Sequence, residues 1–277
     1  MTTTELTEEA TSRFVQAGSI RMHYNEAGTG GPPLVCIHGG GPGASGWSNF
    51  RQNLPALSAI RRTLLVDMPQ YGKSEAVVVN EPRLGYNARN LKAMLDALDI
   101  DKVTLIGNSM GGGTSVKFAI DYPDRVDRLV LMGSAGFGPS LFTPQPTEGI
   151  KFLGNFYRNP TREAMKNIID VFVYDSSFMT EELLEQRYQA AMDPAIMEAR
   201  KNSNTPYEDL TADLRKIKAQ TLIIWGADDR FVPLDQGLGF LRHIPDARLV
   251  VLPRCGHWAQ YEHADEFDRL VIDFLSH

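Results

Sequence analysis

Ser109 lies in Gly107-Asn108-Ser109-Met110-Gly111, where a short β-rich run, 103–106, meets a helix-like run, 114–120. A serine forced into a tight strand-to-helix turn projects its hydroxyl away from its own backbone. Glycines must flank it, because side chains there would collide with the adjoining strand and helix. A Gly-rich turn whose serine only caps the helix would look the same. With glycine at about 7% of residues, chance alone places such a motif in roughly one chain of this length in ten. Its meaning therefore depends on whether a base, an orienting carboxylate and an oxyanion site accompany it.

A nucleophilic serine needs an imidazole to accept its proton. Of six histidines, His277 is terminal, His23 and His243 read as surface residues, and His263 is expected to begin the last helix. His38 ends a strand before a run of glycines, where it is expected to brace the loop. His257, in a loop directly after the apolar run 248–252, is the expected base. The carboxylate must come from the loop after Trp225, and Asp228 and Asp229 are equally reachable there. The chain order serine, aspartate, histidine separates this arrangement from the other serine-hydrolase orders. Cys255 has no turn to position its thiol and reads as a buried cysteine. One oxyanion donor is the Met110 amide, and the second is expected from the glycines after His38. Those glycines also spell a dinucleotide fingerprint, Gly41-x-Gly43-x-x-Gly46, with Asp67 about 20 residues on. That reading leaves Ser109, Asp229 and His257 unexplained, so no nucleotide, metal or other cofactor is expected.

The elements that must position these groups follow from periodicity. Residues 20–26 alternate like a half-buried antiparallel strand. The continuous apolar runs 34–37, 63–66, 103–106, 129–132, 221–225 and 248–252 read as strands covered on both faces. Helical patterns occupy 47–57, 87–98, 114–120 and 264–275. This alternation predicts an α/β fold with a mostly parallel central sheet covered by helices. Between 135 and 218 strand-like runs stop, and helices are expected at 148–157, 161–174, 180–192 and 195–201. The expected organisation is a core of 1–134 and 219–277 with an all-helical lid, 135–218, over the carboxyl edge of the sheet.

A net charge of −6, with no dense basic run, excludes a nucleic-acid or anionic-membrane surface. No apolar stretch reaches the roughly 20 residues needed to span a bilayer. Residues 1–12 lack the basic and apolar regions of a signal peptide and read as a frayed tail. Two cysteines in 277 residues fit a reducing compartment, so the cytoplasm is expected.

Over essentially its whole length the chain resembles the α/β-hydrolases, and within them the bacterial meta-cleavage product hydrolases, which break carbon–carbon bonds in ring-opened catechols. The resemblance is carried by 38–44, 46–49, 107–112, 131–133, Glu182-Leu183-Leu184-Glu185-Gln186-Arg187, Asp229-Arg230-Phe231-Val232-Pro233 and Cys255-Gly256-His257-Trp258-Ala259. It implies Asp229 rather than Asp228 as the orienter and Gly40 as the second oxyanion donor. It also places Asn49, Asn108, Arg187 and Trp258 around the substrate's dienoate end, with Gly41, Phe172 and Phe231 as further contacts. Arg187 has independent support. It falls inside the apolar stripe of Leu183, Leu184, Tyr188 and Ala191, where it either snorkels to Glu182 or Glu185 or turns inward to hold a carboxylate.

The resemblance implies hydrolysis of a 2-hydroxy-6-oxo-hexa-2,4-dienoate without a cofactor, with a small-molecule dienoate as the sole ligand class and a homo-oligomer as the assembly. A carboxylesterase using the same three residues is the alternative. The segment 193–213 is short, and 202–207 is polar where bulky apolar groups often shape the distal pocket, so the C6 substituent stays open.

Overall fold

A run of apolar residues with no polar alternation must be sheltered on both faces, and each such run forms a strand. The computed structural model describes residues 6–276. Its strands are β1 (Ser12–Ala17), β2 (Ile20–Ala27), β3 (Leu34–Ile37), β4 (Thr63–Val66), β5 (Val103–Asn108), β6 (Val126–Met132), β7 (Gln220–Gly226) and β8 (Ala247–Leu252). They form one sheet in the order β1-β2-β4-β3-β5-β6-β7-β8. Pairing is antiparallel at β1–β2 and β2–β4 and parallel from β4 through β8. Every residue of β3, β4 and β5 is buried.

The helices are α1 (Glu8–Thr11), α2 (Gly46–Phe50), α3 (Leu54–Ile60), α4 (Arg83–Ala97), α5 (Met110–Asp121), α6 (Glu148–Arg158), α7 (Arg162–Phe172), α8 (Glu181–Ala191), α9 (Pro194–Lys201), α10 (Leu234–His243), α11 (Ala259–Glu262) and α12 (Ala264–Ser276). Because strand side chains alternate in direction, Val35 and Ile37 join one core with Leu91, Met94 and Phe240, whereas Leu34 and Cys36 join another with Phe267 and Val271. A third cluster is built by α6–α8: Phe156, Met165, Ile168, Ile169 and Leu184 pack with Phe172, Phe231 and Trp258. All four helices from α6 to α9 begin at a residue whose side chain caps the first turn: Thr147, Thr161, Thr180 and Asp193.

Several boundaries differ from those expected. The helix predicted over 47–57 is two helices; Pro55 sits in the first turn of α3, where its missing N–H costs nothing. Residues 1–5 lie outside the described residues, but the rest of the segment read as frayed is ordered. Glu8–Thr11 is helical with Thr7 as its cap, and Ser12 opens β1. An edge strand with only Ala17 buried carries too weak an alternation to be legible.

Candidate active site

Ser109 adopts φ 55°, ψ −116° between β5 and α5, a left-handed conformation that side chains avoid. The surroundings hold it there: its N–H donates to the Met132 carbonyl at 2.9 Å, and its carbonyl accepts from Ala135 at 2.9 Å and Gly113 at 3.0 Å. The flanking glycines are steric necessities. A Cβ on Gly107 would stand 2.4 Å from the Gly111 carbonyl oxygen, and one on Gly111 would stand 2.1 Å from that of Ile37. Met110 opens α5, so its amide belongs to the first turn, whose N–H groups have no partner within the helix. Gly40 adjoins it: a Cβ on Gly40 would lie 3.3 Å from the Met110 Cβ. The two residues expected to supply oxyanion donors are therefore neighbours.

The candidate base and its candidate orienter come from the loops after β8 and β7. His257 Nδ1 lies 2.8 Å from Asp229 Oδ2, with both side chains buried. Asp229 Oδ1 accepts from the amides of Phe231 at 2.8 Å and Val232 at 2.9 Å, so the carboxylate is held in one orientation. Asp228 is exposed, and geometry selects its neighbour. His257 Nε2 is buried with no protein partner, as an acceptor reserved for a reacting proton would be. His38 behaves as expected of a brace: its Nε2 accepts from the Met68 amide at 3.0 Å, and burial lowers its pKa, keeping it neutral. Cys255 is buried, and burial pushes its thiol far up, so no thiolate competes.

His23 is a correction. It is 1% exposed rather than a surface residue, with Nδ1 2.8 Å from Asp67 Oδ2 and Nε2 2.8 Å from Ser12 Oγ. This second serine–histidine–aspartate chain sits on regular strand backbone at the antiparallel edge and ties β1 and β2 to the loop after β4. Alternation could not reveal it, because His23 neighbours Met22 and Tyr24, and all three are buried.

Around the catalytic pair stands an aromatic wall. Phe172 stacks on Phe231 at 4.2 Å and on Trp258 at 4.5 Å, and Phe231 stacks on His257 at 5.1 Å. Arg187 turns inward: its guanidinium lies 4.8 Å from the Trp258 ring centroid, and a Cβ on Gly41 would stand 3.2 Å from its Nη2. Neither Glu182 nor Glu185 pairs with it. Among the described residues Arg187 has no ion pair, and its Nε is buried without a partner. Burial draws the guanidinium down to about 10, still fully cationic at neutral pH. An unpaired cation with part of its fork out of water is costly unless something neutralises it.

The donor groups of the two asparagines are engaged by the protein. Asn108 Nδ2 donates to the carbonyls of Met132 at 3.3 Å and His257 at 3.0 Å, tying the elbow to the base's loop and leaving Oδ1 buried and unpartnered. Asn49 Nδ2 donates to Ser45 O and Ser48 Oγ at the start of α2.

Two residues that escaped sequence reasoning hold the site together. Glu262 accepts from the amides of Tyr174 at 2.7 Å, Gly256 at 2.9 Å and Trp258 at 3.3 Å, anchoring the His257 loop. Tyr71 donates its hydroxyl to the Gly40 carbonyl at 3.1 Å. No motif marks either one; only the fold brings them in. A cleft of about 570 Å³ opens between α8–α9 and the core, lined by Gly43, Tyr71, Tyr157, Arg187, Arg200 and Trp258. Trp258 marks where it approaches His257. Among the described residues no group of three or more potential ligands could hold a metal, and no helix is long and apolar enough to cross a membrane.

A nucleophile elbow after β5, an aspartate after β7 and a histidine after β8 of a mostly parallel sheet define an α/β-hydrolase, and residues 32–264 match the family described as alpha/beta hydrolase fold. The chain is 48% identical over 285 residues to the 2-hydroxy-6-oxo-6-phenylhexa-2,4-dienoate hydrolase of Burkholderia cepacia, covering 99% of both. It is also 48% identical to the 2-hydroxy-6-oxononadienedioate/2-hydroxy-6-oxononatrienedioate hydrolase of Burkholderia vietnamiensis, covering 97% of both, and it superposes on the meta-cleavage product hydrolase of Pseudomonas fluorescens with a TM-score of 0.85, 34% identity and coverage of 95% and 97%. The chain belongs to the meta-cleavage product hydrolases.

Proposed function

We propose that this chain hydrolyses the C5–C6 bond of a 2-hydroxy-6-oxo-hexa-2,4-dienoate formed in aromatic compound degradation, with residues 135–218 acting as a lid over the core. The observation that carries this reading is Arg187, a half-buried guanidinium whose Nε is buried without a partner and which has no carboxylate beside it. An esterase of neutral substrates has no use for it, whereas its planar fork matches the C1 carboxylate of a dienoate.

The sequence of events follows from the groups available. The 2-oxygen gives up its enol proton to solvent and C5 takes one up from solvent, so the substrate becomes its keto tautomer and the breaking bond gains an electron sink. His257 Nε2 takes the Ser109 proton while Asp229 stabilises the imidazolium. Ser109 Oγ adds to the C6 carbonyl, and the oxyanion rests on the Gly40 and Met110 amides. Collapse breaks C5–C6, the electron pair is delocalised into the 2-oxo acid, and His257 returns the proton to the leaving fragment. Water then attacks the Ser109 ester with His257 as base and frees the second acid. Gly41, Phe172, Phe231 and Trp258 shape the chamber, and Asn108 and Asn49 position the elbow and the loop before α2.

The test is loss of the coloured dienolate's absorbance on adding purified protein. Arg187→Ala is expected to reduce kcat/KM for the dienoate at least tenfold while leaving hydrolysis of a small neutral ester nearly unchanged. An enzyme that cleaves such esters but leaves the dienolate colour intact is an esterase, and the proposal fails.

A further inference from the structure

Beyond Arg187, the same cleft holds a cationic cluster that the catalytic reading leaves idle. Arg200, on α9, lies 4.4 Å from the Tyr71 ring centroid and 5.2 Å from that of Tyr157, and its Nη1 donates to the Tyr157 hydroxyl. Its Nε is buried and has no partner. Behind it, Arg83 donates to Gln70 Oε1 at 2.6 Å, and its Nη1 is buried and unpartnered. Among the described residues no ion pair involves Arg83, Arg187 or Arg200. Carboxylates at the rim are otherwise engaged: Asp67 by His23 and the amides of Gly46 and Lys73, Glu8 by Lys73, and Asp193 as the α9 cap.

A 2-hydroxy-dienoate presents two oxygen functions at one end, the C1 carboxylate and the 2-oxygen, and both need donors. The Nδ2 groups of Asn49 and Asn108 already serve protein acceptors. What remains on the lid side is guanidinium. Tyr71 links this cluster to the reaction chamber, because one residue contacts both Arg200 and the Gly40 carbonyl. The wall built from Phe172, Phe231 and Trp258 is apolar and offers no further donor.

We propose that Arg200, held by Tyr71 and Tyr157, is a second anion clamp beside Arg187 and binds the substrate's 2-oxygen as an oxido anion. On binding, the enol proton leaves to solvent and its electron pair stays on the 2-oxygen. Arg187 takes the carboxylate; Arg83 supports the field from behind. Tyr157 is a neutral partner throughout, since a phenol ionises only at about pH 10 or above. This inference rests on the dienoate reading above.

The experiment uses the full chain carrying Ser109→Ala, which binds without turnover, titrated with the 6-phenyl dienoate while the dienolate absorbance band is followed against pH. Arg200→Met is expected to raise the pH at which the bound enol ionises by roughly two units, the size expected for losing a unit charge a few ångströms away. Arg200→Lys should recover part of the shift. In the active enzyme, Arg200→Met should lower kcat/KM by roughly 30-fold, equally for a dienoate with an apolar C6 group and one with a C6 carboxyalkyl group. An unchanged band in Arg200→Met overturns the role, as does a loss confined to the carboxyalkyl substrate, which would place Arg200 at the C6 end. Should Arg200→Met fail to fold, Tyr157→Phe, which frees the Arg200 fork, must shift the band in the same direction or the role falls. A parent protein that binds no dienoate at all sinks the catalytic reading instead.

Discussion

Ser109 shows how one residue trades stability for reactivity. Its φ of 55° costs of order 1–3 kcal/mol for a side-chain-bearing residue and almost nothing for glycine. In ordinary positions glycine is less stable than alanine by about 0.4–1 kcal/mol, because the unfolded chain is freer. Here the ranking should invert: Ser109→Gly is expected to unfold at higher denaturant than Ser109→Ala by about 1 kcal/mol, with both inactive. An alanine variant as stable as the glycine variant would mean that the elbow is not strained. The serine's conformation is legible in the motif. Its cost is not, because it depends on the hydrogen bonds from Ala135 and Gly113 and to Met132 that lock the turn.

Elements carry the second kind of adjustment. Asp268, inside α12 and 8% exposed, accepts from Asn53 Nδ2 at 2.9 Å and so ties α12 to the start of α3. Burial raises its carboxyl to about 6. A carboxyl raised in the folded state binds its proton more tightly there than in the unfolded chain. Its effect is therefore destabilising, growing as pH rises from about 3.8 toward 6 and constant above. Asp268→Asn keeps an acceptor for Asn53 and removes the charge. It is expected to gain about 1–3 kcal/mol at pH 7.5, a rise of several degrees in Tm, and distinctly less at pH 5. Equal gains at both pH values would show that Asp268 ionises normally. Nothing in the amphipathic pattern of α12 marks this residue, since an aspartate at 268 reads as part of the polar face until α3 packs over it.

At the scale of the whole molecule, the sheet supplies the catalytic loops and α6–α9 supply the cations, so the site exists only where the two meet. Half-buried, unpaired Arg187 is an electrostatic cost of the empty protein, and an anion that fills the chamber lowers it. A non-reacting acid such as benzoate at 100 times its Kd should stabilise the folded chain by about 2.7 kcal/mol. Thermal scans should show Tm rising with the logarithm of benzoate concentration, and hydrogen exchange in α6–α9 should slow. The shift is expected to vanish in Arg187→Ala; its persistence would locate the anion elsewhere.

By itself the sequence determined the fold class, the candidate nucleophile and base, and the place of Arg187 within an apolar stripe. Each is written locally, in a glycine-flanked turn, in a loop directly after a buried run, or in a charge set within an apolar stripe. Tertiary structure decided everything that needs two distant segments to touch. It buried Asp229 against His257 and left Asp228 exposed. It buried His23 against Asp67, 44 positions away. It turned Asn108 from a free donor into a tie between the elbow and the His257 loop, and it gathered Arg200 at the cleft that Arg187 lines, with Arg83 near Arg200. The physical reason is that periodicity records which face of an element is dry, while hydrogen-bond partners and charge neighbours are set only when those dry faces pack.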